Sequence, residues 1–400
     1  MEWIYLDHNS TTPLCAEAAA AMAECQATRF GNPASQHGIG RRARQALEDA
    51  REGIGNLLGA RLSGRNPDRV IFTSGGTEAN NLALLGLAGL QQQPALIGEA
   101  IVSAIEHPSV SAPVEMLERR GWTIHRLGVT ADGMVDVGRF AELLHNHTRS
   151  GRQPRFVSVM LANNETGVVQ PAGEIARQCA AVNVPMHIDA VQMAGKMPLD
   201  FRSLGATSMT VAAHKFHGPV GIGALVVRHE SALEPLSFGG FQQAGLRPGT
   251  EGVALAAGMH AALAARHRES EARVARMRQL RDALEAGLIG GFPGKIVVNG
   301  RLAERLPQTS NLAFVGIDRQ ALLMALDLAG IACSTGSACA SGSSEPSPVL
   351  IAMGCSKEVL AGSLRFSLGA TTTRQEIDEA VARILKACNA ISASRPLSRS

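Results

Sequence analysis

The chain has 400 residues, of which 45% are hydrophobic, and its 38 Lys and Arg residues exceed its 35 Asp and Glu residues to give a formal net charge of +3. This length exceeds what one hydrophobic core usually serves, so we expect one large and one smaller domain. The balanced charge, without a basic run, argues against nucleic acid or a membrane surface as the main partner. No apolar stretch approaches transmembrane length and the N-terminus lacks a charged leader, so we expect a cytoplasmic protein.

The seven cysteines are scattered along the chain and odd in number, which does not indicate a disulfide framework. No Cys-x-x-Cys pair occurs, and we expect no bound metal. Five of the seven lie in apolar or helical contexts, where a cysteine is most often a small buried hydrophobe. Cys333 and Cys339 differ from these because they lie in a predicted loop.

The first half of the chain contains a polar turn and two helices, followed by alternating strands and helices. The turn covers 5–13, and the two helices run from about 14 to 27 and from 40 to 58. The strands that follow are predicted at 69–73, 101–104, 123–127, 156–161 and 186–188, and the helices at 74 to about 90, 109–120, 137–148 and 172–183. Short strands that are apolar on both faces and alternate with helices predict a mainly parallel sheet covered on both sides.

The second half begins with an apolar run that stops at His214 and Lys215. A turn rich in glycine and a second apolar run follow, and the alternation of short strands and helices stops after Arg228. A Gly-rich loop over 237–250 leads into a long helix from 253 to about 288, which we interpret as the connector between domains. The remainder predicts strands at 296–298, 310–315 and 363–368 and helices at 319–329 and 374–391, the last opened by a capping box.

Five polar groups fall just after predicted strands, at the edge where ligands bind in parallel sheets. They are Gly75-Gly76-Thr77, His107, Asn164, Asp189 and Lys215. Lysine is seldom buried without a partner, and a lysine amine in a desolvated pocket can form a Schiff base with an aldehyde cofactor. A lysine on an exposed turn is the alternative interpretation.

Two of these segments carry further chemical signals. The segment 74–78 places backbone N–H groups at a helix N-terminus, where a phosphate would be stabilised, although such a loop also serves as a simple turn. Asp189 could hold a pyridinium nitrogen protonated, and Gln192 could reach a ring hydroxyl. An isolated Asp at a strand end is otherwise read as a helix N-cap, and the presence of Lys215 after one more strand favours the cofactor interpretation.

Nine motifs along the chain together resemble a known family. They are Phe30-Gly-Asn-Pro-Ala-Ser, Thr73-Ser-Gly-Gly-Thr-Glu-Ala-Asn-Asn, Glu106-His107, Asn163-Asn-Glu-Thr-Gly-Val-Val, His187-Ile-Asp-Ala-Val-Gln, His214-Lys215, Leu246-Arg-Pro-Gly-Thr, Gly336-Ser-Ala-Cys and Leu364-Arg-Phe-Ser-Leu. In this order they resemble the cysteine desulfurases, pyridoxal-phosphate enzymes of fold type I, in the nitrogen-fixation and iron–sulfur-cluster branch. The resemblance runs from Tyr5 to about Asp378.

The resemblance implies an α/β fold with a mainly parallel seven-stranded sheet in a large pyridoxal-phosphate-binding domain, plus a smaller α+β domain. We place the large domain at 14–255, and the small domain at 1–13 and 256–400. The implied enzyme is a homodimer that converts L-cysteine to L-alanine and passes sulfur to an acceptor or scaffold protein, for iron–sulfur clusters or other sulfur-containing cofactors. A selenocysteine lyase or another β-lyase, and a catalytically silent scaffold, are the alternatives.

The resemblance also assigns roles to individual residues. Lys215 carries the cofactor, Asp189 pairs with the pyridine nitrogen, and His107 stacks on the ring and assists proton transfer. The other implied contacts are Gln192 to the ring oxygen, Gly76, Thr77 and His214 to the phosphate, Thr250 from the second subunit to the phosphate, Asn164 to cofactor and substrate, and Arg365 to the substrate carboxylate.

Cys339 is the implied sulfur acceptor. It lies in a run of small polar residues over 333–347 that cannot fill a core, so we expect a mobile loop whose thiolate could reach the substrate and carry a persulfide outward. Cys333 has no implied role and is interpreted as structural. The chain departs from the family at Ala212, where serine is usual, at Phe241 and Ala244 before Arg247, and at His8, where asparagine is common.

Overall fold

The computed structural model describes residues 2–89, 97–268, 270–336 and 345–393. In these residues the strands are β1 (Ile4–Tyr5), β2 (Arg69–Thr73), β3 (Glu99–Ser103), β4 (Thr123–Leu127), β5 (Phe156–Ser158), β6 (Met186–Asp189), β7 (Ser208–Ala212), β8 (Gly223–Val227), β9 (Ile296–Val298), β10 (Thr309–Phe314), β11 (Ile331–Ala332) and β12 (Ser363–Ser367). The helices are α1 (Ala16–Thr28), α2 (Gly38–Leu57), α3 (Gly76–Ala88), α4 (Pro108–Arg119), α5 (Val137–Ser150), α6 (Ala172–Ala181), α7 (Phe201–Leu204), α8 (Val253–Arg268), α9 (Ser270–Gly291), α10 (Arg319–Leu328), α11 (Pro348–Ala352), α12 (Lys357–Gly362) and α13 (Arg374–Ala393).

The large sheet has seven strands in the order β2-β8-β7-β6-β5-β3-β4. All run parallel except β8, which is antiparallel to both of its neighbours. The residues of β5, β6, β7 and β8 are buried along their whole length, because helices cover both faces of the sheet. The predicted α/β class with a mainly parallel seven-stranded sheet is confirmed.

A second core surrounds a smaller antiparallel sheet of order β12-β10-β9, beside which β1 pairs in parallel with β11. Ile4 and Leu6 pack in this core together with side chains from α9, β10, β12 and α13. The N-terminal segment therefore packs with the C-terminal part of the chain, although it precedes the large sheet in sequence.

The helix predicted from 253 to 288 is two helices with different surroundings. The buried side chains of α8, among them Ala256, Met259 and Leu263, belong to the core of the large sheet, whereas Leu284 and Leu288 of α9 belong to the second core. The predicted division after residue 255 stays a prediction. This packing favours a division between α8 and α9.

Two other features of the fold bear on the site. The strand predicted at 156–161 ends at Ser158. The chain then turns at Asn163, whose Oδ1 accepts from the backbone N–H groups of Glu165 and Thr166, both at 2.9 Å. Among the described helices, none combines the length and the apolar composition needed to cross a membrane.

Candidate active site

A cavity of about 240 Å³ lies where β6 and β7 end and α3 begins. Eight of the predicted site residues line it, namely Gly76, Thr77, His107, Asn164, Asp189, Gln192, His214 and Lys215. The carboxyl ends of parallel strands meet at one edge of a sheet, which is why residues far apart in sequence converge here. Further lining residues that the sequence did not single out include Ser10, Asn80, Ser109 and Met160.

Lys215 ends a short 3₁₀ turn that follows β7. Its Nζ donates to the carbonyl oxygens of Asn9 at 2.6 Å and Ser10 at 2.7 Å. The N-terminal segment therefore holds the lysine amine at the cavity wall. Asn9 is itself anchored by a hydrogen bond from its backbone N–H to Ser367 Oγ at 2.8 Å.

Asp189 is the last residue of β6 and is buried. Its Oδ1 accepts from the backbone N–H of Val191 at 2.9 Å, and its Oδ2 accepts from Asn80 Nδ2 at 2.7 Å. Asn80 lies inside α3 and is oriented by Ser109 Oγ at 2.8 Å and by His187 Nε2 at 3.0 Å. The carboxylate is thus held in one orientation by donors on two elements.

His107 is the N-cap of α4, and its Nδ1 accepts from the backbone N–H of Ser109 at 3.1 Å. Burial lowers the pKa of His107, and the charge on Lys215 adds to this effect while Asp189 opposes it. The imidazole is therefore neutral at pH 7. Because Nδ1 accepts, the ring hydrogen is on Nε2, and that atom is a hydrogen-bond donor.

The N-terminus of α3 forms one wall of the cavity. Its first N–H groups have no partner within the helix, and the helix dipole favours an anion there. A Cβ at Gly76 would lie 3.0 Å from Val191 Cγ2, so glycine keeps this wall open. His214 lies beside it, and burial lowers the pKa of His214 to about 4, with Lys215 contributing.

The buried Lys196 holds the side chain of Gln192 in place by a hydrogen bond. Lys196 Nζ donates to Gln192 Oε1 at 2.8 Å, and Gln192 Nε2 donates to Asn9 O at 3.0 Å. Burial places the pKa of Lys196 well below its ordinary value, and Lys215 adds to the effect. These contacts fix which end of the Gln192 amide is the donor.

Arg365 lies behind the cavity wall with its side chain 1% exposed. Its Nη1 donates to the carbonyl oxygens of Asn164 at 3.0 Å and Gly336 at 2.8 Å. Its Nη2 donates to Asp7 Oδ1 and Ser10 Oγ, both at 2.7 Å. All four Nη hydrogens are engaged, so bidentate binding of a substrate carboxylate through Nη1 and Nη2 requires two of these hydrogen bonds to break. The role of Arg365 in substrate binding stays a prediction.

Besides Arg365, two predicted residues remain, Thr250 and Cys339. Thr250 lines a separate cavity of about 210 Å³ together with Ser74 and Arg247. Cys339 lies outside the described residues. Cys333, in contrast, is described, and burial raises the pKa of its thiol far above the ordinary value, so it is not a thiolate at neutral pH.

Sequence reasoning missed Asn80, Lys196 and the Asn9–Ser10 carbonyls. The first two carried a usable signal, because an asparagine inside an apolar helix and a lysine four residues after Gln192 are both costly to bury without a partner. Backbone carbonyls carry no sequence signal, and only their position identifies them.

Comparison with known proteins identifies the family to which this fold and cavity belong. Residues 4–380 match the family model described as Aminotransferase class-V. The IscS-like cysteine desulfurase of Mycobacterium tuberculosis is 42% identical over 94% of each chain, and the cysteine desulfurase IscS of Dictyoglomus turgidum is 37% identical over 97% of this chain and 96% of the other. The solved structure of a NifS-like protein from Rickettsia africae superposes with a TM-score of 0.86 at 30% identity, covering 97% of this chain and 100% of the other.

The chain belongs to the class-V aminotransferase family, within its cysteine desulfurase branch. Enzymes of this family depend on pyridoxal phosphate. The family resemblance drawn from the nine sequence motifs is confirmed.

Proposed function

We propose that this enzyme converts L-cysteine to L-alanine and transfers the sulfur to Cys339 as a persulfide. The observation that carries the proposal is the convergence of an amine (Lys215), an oriented carboxylate (Asp189) and a helix N-terminus on one cavity. Relatives described as cysteine desulfurases, similar over nearly the whole chain, support the choice of substrate.

The cavity fits pyridoxal phosphate. Gly76, Thr77 and His214 surround the α3 N-terminus and would hold the phosphate, Asp189 would pair with the ring nitrogen, and Gln192 would donate to the ring oxygen. Lys215 would bind the aldehyde carbon. When bound, the cofactor supplies an electron-withdrawing ring that weakens the bonds at the substrate α carbon.

Lys215 and His107 divide the proton chemistry. With the substrate held on the cofactor through its own amine, Lys215 Nζ would be able to accept a proton at the cavity wall, where the Asn9 and Ser10 carbonyls orient it. His107 presents Nε2–H and acts as a donor, because its Nδ1 is occupied by the Ser109 N–H. We therefore propose Lys215 as the base and His107 as the group that orients the substrate or donates a proton.

Asn164 and Arg365 are proposed to bind the substrate carboxylate. Asn164 reaches the cavity directly, whereas Arg365 holds the Asn164 carbonyl from behind. The Arg365 Nε–H is buried and has no hydrogen-bond partner among the described residues, so it is the donor left for an incoming carboxylate oxygen. Within the part of the chain that the structure describes, this N–H lacks an acceptor, and a buried N–H without one costs about 1–3 kcal/mol.

The transfer of sulfur from the substrate needs a thiolate of the protein as the nucleophile. In it the Cys339 Sγ forms a bond to the substrate Sγ, the substrate C–S bond breaks, and its electron pair stays with carbon, which takes up a proton to give alanine. The products are alanine and a Cys339 persulfide, so no further oxidant or reductant is required. The raised pKa of the Cys333 thiol argues against it as the nucleophile at neutral pH.

A comparison of Cys339→Ser and Cys333→Ser tests this proposal. Both variants are expected to bind cofactor, but Cys339→Ser loses alanine formation and persulfide, because a serine hydroxyl is a far weaker nucleophile than a thiolate. Cys333→Ser keeps both. Thiol trapping after exposure to cysteine without reductant, followed by peptide mass spectrometry, locates the extra sulfur. Persulfide on Cys333, or full alanine production by Cys339→Ser, would contradict the assignment.

We further propose a cytoplasmic homodimer that delivers sulfur to an acceptor or scaffold protein for iron–sulfur cluster or other sulfur-cofactor synthesis. Thr250 lies outside the cavity of its own chain, which is consistent with a contribution to the phosphate site of the second subunit. The exposed Phe238 and Phe241, in the loop that precedes Thr250, supply apolar surface for such an interface.

A further inference from the structure

Three potential metal ligands converge near the start of the strands, whereas the active-site cavity lies at their ends. Glu99 is the first residue of β3, His125 lies in the neighbouring edge strand β4, and His147 lies in the last turn of α5. Glu99 Oε2 is 2.9 Å from His125 Nε2 and 3.2 Å from His147 Nδ1. The three ligand atoms all lie within 4.8 Å of one another.

The register of the sheet explains why these side chains meet. In the β3–β4 pair, Glu99 is opposite Thr123 and Ile101 is opposite His125. Alternate residues of a strand point to the same face, so Glu99 and His125 are diagonal neighbours on one face of the sheet. The end of α5 brings His147 onto that face.

Two imidazole N–H groups cover the three short contacts of this group only if one N–H is shared. His147 Nδ1 lies 3.2 Å from Glu99 Oε2 and 3.0 Å from the carbonyl oxygen of Arg152, so a single N–H faces two acceptors. A cation at the centre would satisfy the carboxylate, both ring nitrogens and the carbonyl at once. Imidazole and carboxylate ligands suit zinc, at distances of about 2.0–2.2 Å, and four-coordinate sites of this kind are common.

We propose that Glu99, His125 and His147 form a binding site for a divalent transition metal of the zinc class. The fourth position goes to water or to the Arg152 carbonyl. The three side chains are 19%, 27% and 10% exposed, so an ion reaches the site from solvent while most of its surroundings are protein. The bound ion would link β3, the edge strand β4 and the end of α5.

Metal binding by the holoenzyme tests the proposal, with Zn²⁺ alone as the probe. Equilibrium dialysis is expected to show one zinc equivalent in the wild type whose affinity falls at least about tenfold in Glu99→Gln and His147→Gln. His145→Gln is the matched control, because His145 is an exposed residue of the same helix, outside the cluster. Equal binding by all four proteins would overturn the proposal.

Thiols also bind zinc, so the ligand type needs its own measurement. Co²⁺ substitution is expected to give d–d bands that disappear in His147→Gln, whereas a cobalt–thiolate charge-transfer band would persist in that variant if cysteines were the ligands. A Co²⁺ spectrum that is the same in the wild type and in His147→Gln counts against the site.

A third measurement on the wild type does not depend on how the variants fold. Diethylpyrocarbonate modifies accessible imidazoles, and peptide mass spectrometry maps the modified histidines. Zinc is expected to protect His125 and to leave His145 reactive. Unchanged modification of His125 at saturating zinc would overturn the proposal, whatever the enzyme's activity.

Discussion

At the scale of single residues, Asn80 connects the groups that orient the cofactor. Its Nδ2 donates to Asp189 Oδ2 at 2.7 Å and to Ser109 Oγ at 2.8 Å, while its Oδ1 accepts from His187 Nε2 at 3.0 Å. Ser109 in turn contacts His107 Nδ1 at 2.8 Å. One buried amide therefore sets the position of the carboxylate and, through Ser109, of the imidazole, so we regard Asn80 as a positioning residue.

Asn80→Ala is expected to lower kcat/KM by about tenfold to a hundredfold, because loss of a buried hydrogen bond to a charged group costs about 1–3 kcal/mol. The pH at which the bound cofactor changes its absorbance should also shift, which a purely structural defect would not produce. Asn81→Ala is the control, since the half-buried Asn81 donates only to the backbone carbonyls of Thr77 and Ser109 and to no side chain of this network. Equal losses in the two variants would argue against the positioning role.

At the scale of elements, the start of β8 fixes the start of α3. Gly223 is the first residue of β8, and a Cβ there would lie 2.7 Å from the backbone carbon of Gly75 and 2.8 Å from Val211 O. Real Cβ atoms essentially never approach other atoms this closely. The helix N-terminus proposed to hold the phosphate therefore depends on a glycine in a different element.

Gly223→Ala is expected to displace Gly75 and to weaken cofactor binding by at least about tenfold, because the N–H groups of a helix N-terminus act only at short range. The measurement is the cofactor retained after dialysis against increasing volumes. Gly290→Ala in α9 is the control, since a Cβ there meets nothing within 4 Å. That control should retain cofactor and gain about 0.5–1 kcal/mol in unfolding free energy. Normal retention by Gly223→Ala would contradict the argument.

At the scale of the whole molecule, the N-terminal segment joins the two cores at the active site. Ile4 and Leu6 pack in the second core, and a few residues later the carbonyls of Asn9 and Ser10 accept from Lys215 in the large domain. His8 lies between these two anchors and is buried. The same region thus serves both the stability of the molecule and the position of its lysine.

Three buried histidines and the half-buried His214 make the stability of the molecule sensitive to acid. Burial lowers the pKa of His8 and His187 to about 3 and that of His214 and His217 to about 4. The unfolded chain binds protons at these groups near pH 6.5 and the folded chain does not, so the unfolding free energy falls as pH drops below 6.5. Two buried carboxyl groups with raised pKa values, Glu106 and Glu165, oppose this trend but are fewer.

Urea unfolding of the holoenzyme from pH 6.5 down to about 5 is expected to show this loss. His8→Asn removes one of the four groups and should reduce the slope by up to about 1.4 kcal/mol per pH unit. His145→Asn, at an exposed position, should leave the slope unchanged. A free energy of unfolding that stays constant over this range in the wild type would contradict the prediction.

The sequence by itself determined most of the longer elements and the enzyme class. Local periodicity located β2, β4 and β9 to the residue, because hydrophobic alternation and turn residues act over a few positions. The strand-end rule predicted six of the residues that line the cavity, and motif order identified the family. These are properties that short stretches of chain carry within themselves.

Only the tertiary structure decided which residues support the site. The pairing of Asn80 with Asp189 and of Lys196 with Gln192 depends on the packing of α3 against the sheet and on the helical turn after β6. The contact between the Lys215 amine and the N-terminal carbonyls, and the meeting of Glu99 with two histidines, likewise join elements that are remote in sequence. The partners in these contacts are set by strand register and by the packing of elements against one another. The sequence can indicate that Asn80 or Lys196 needs a partner, but not which residue it is.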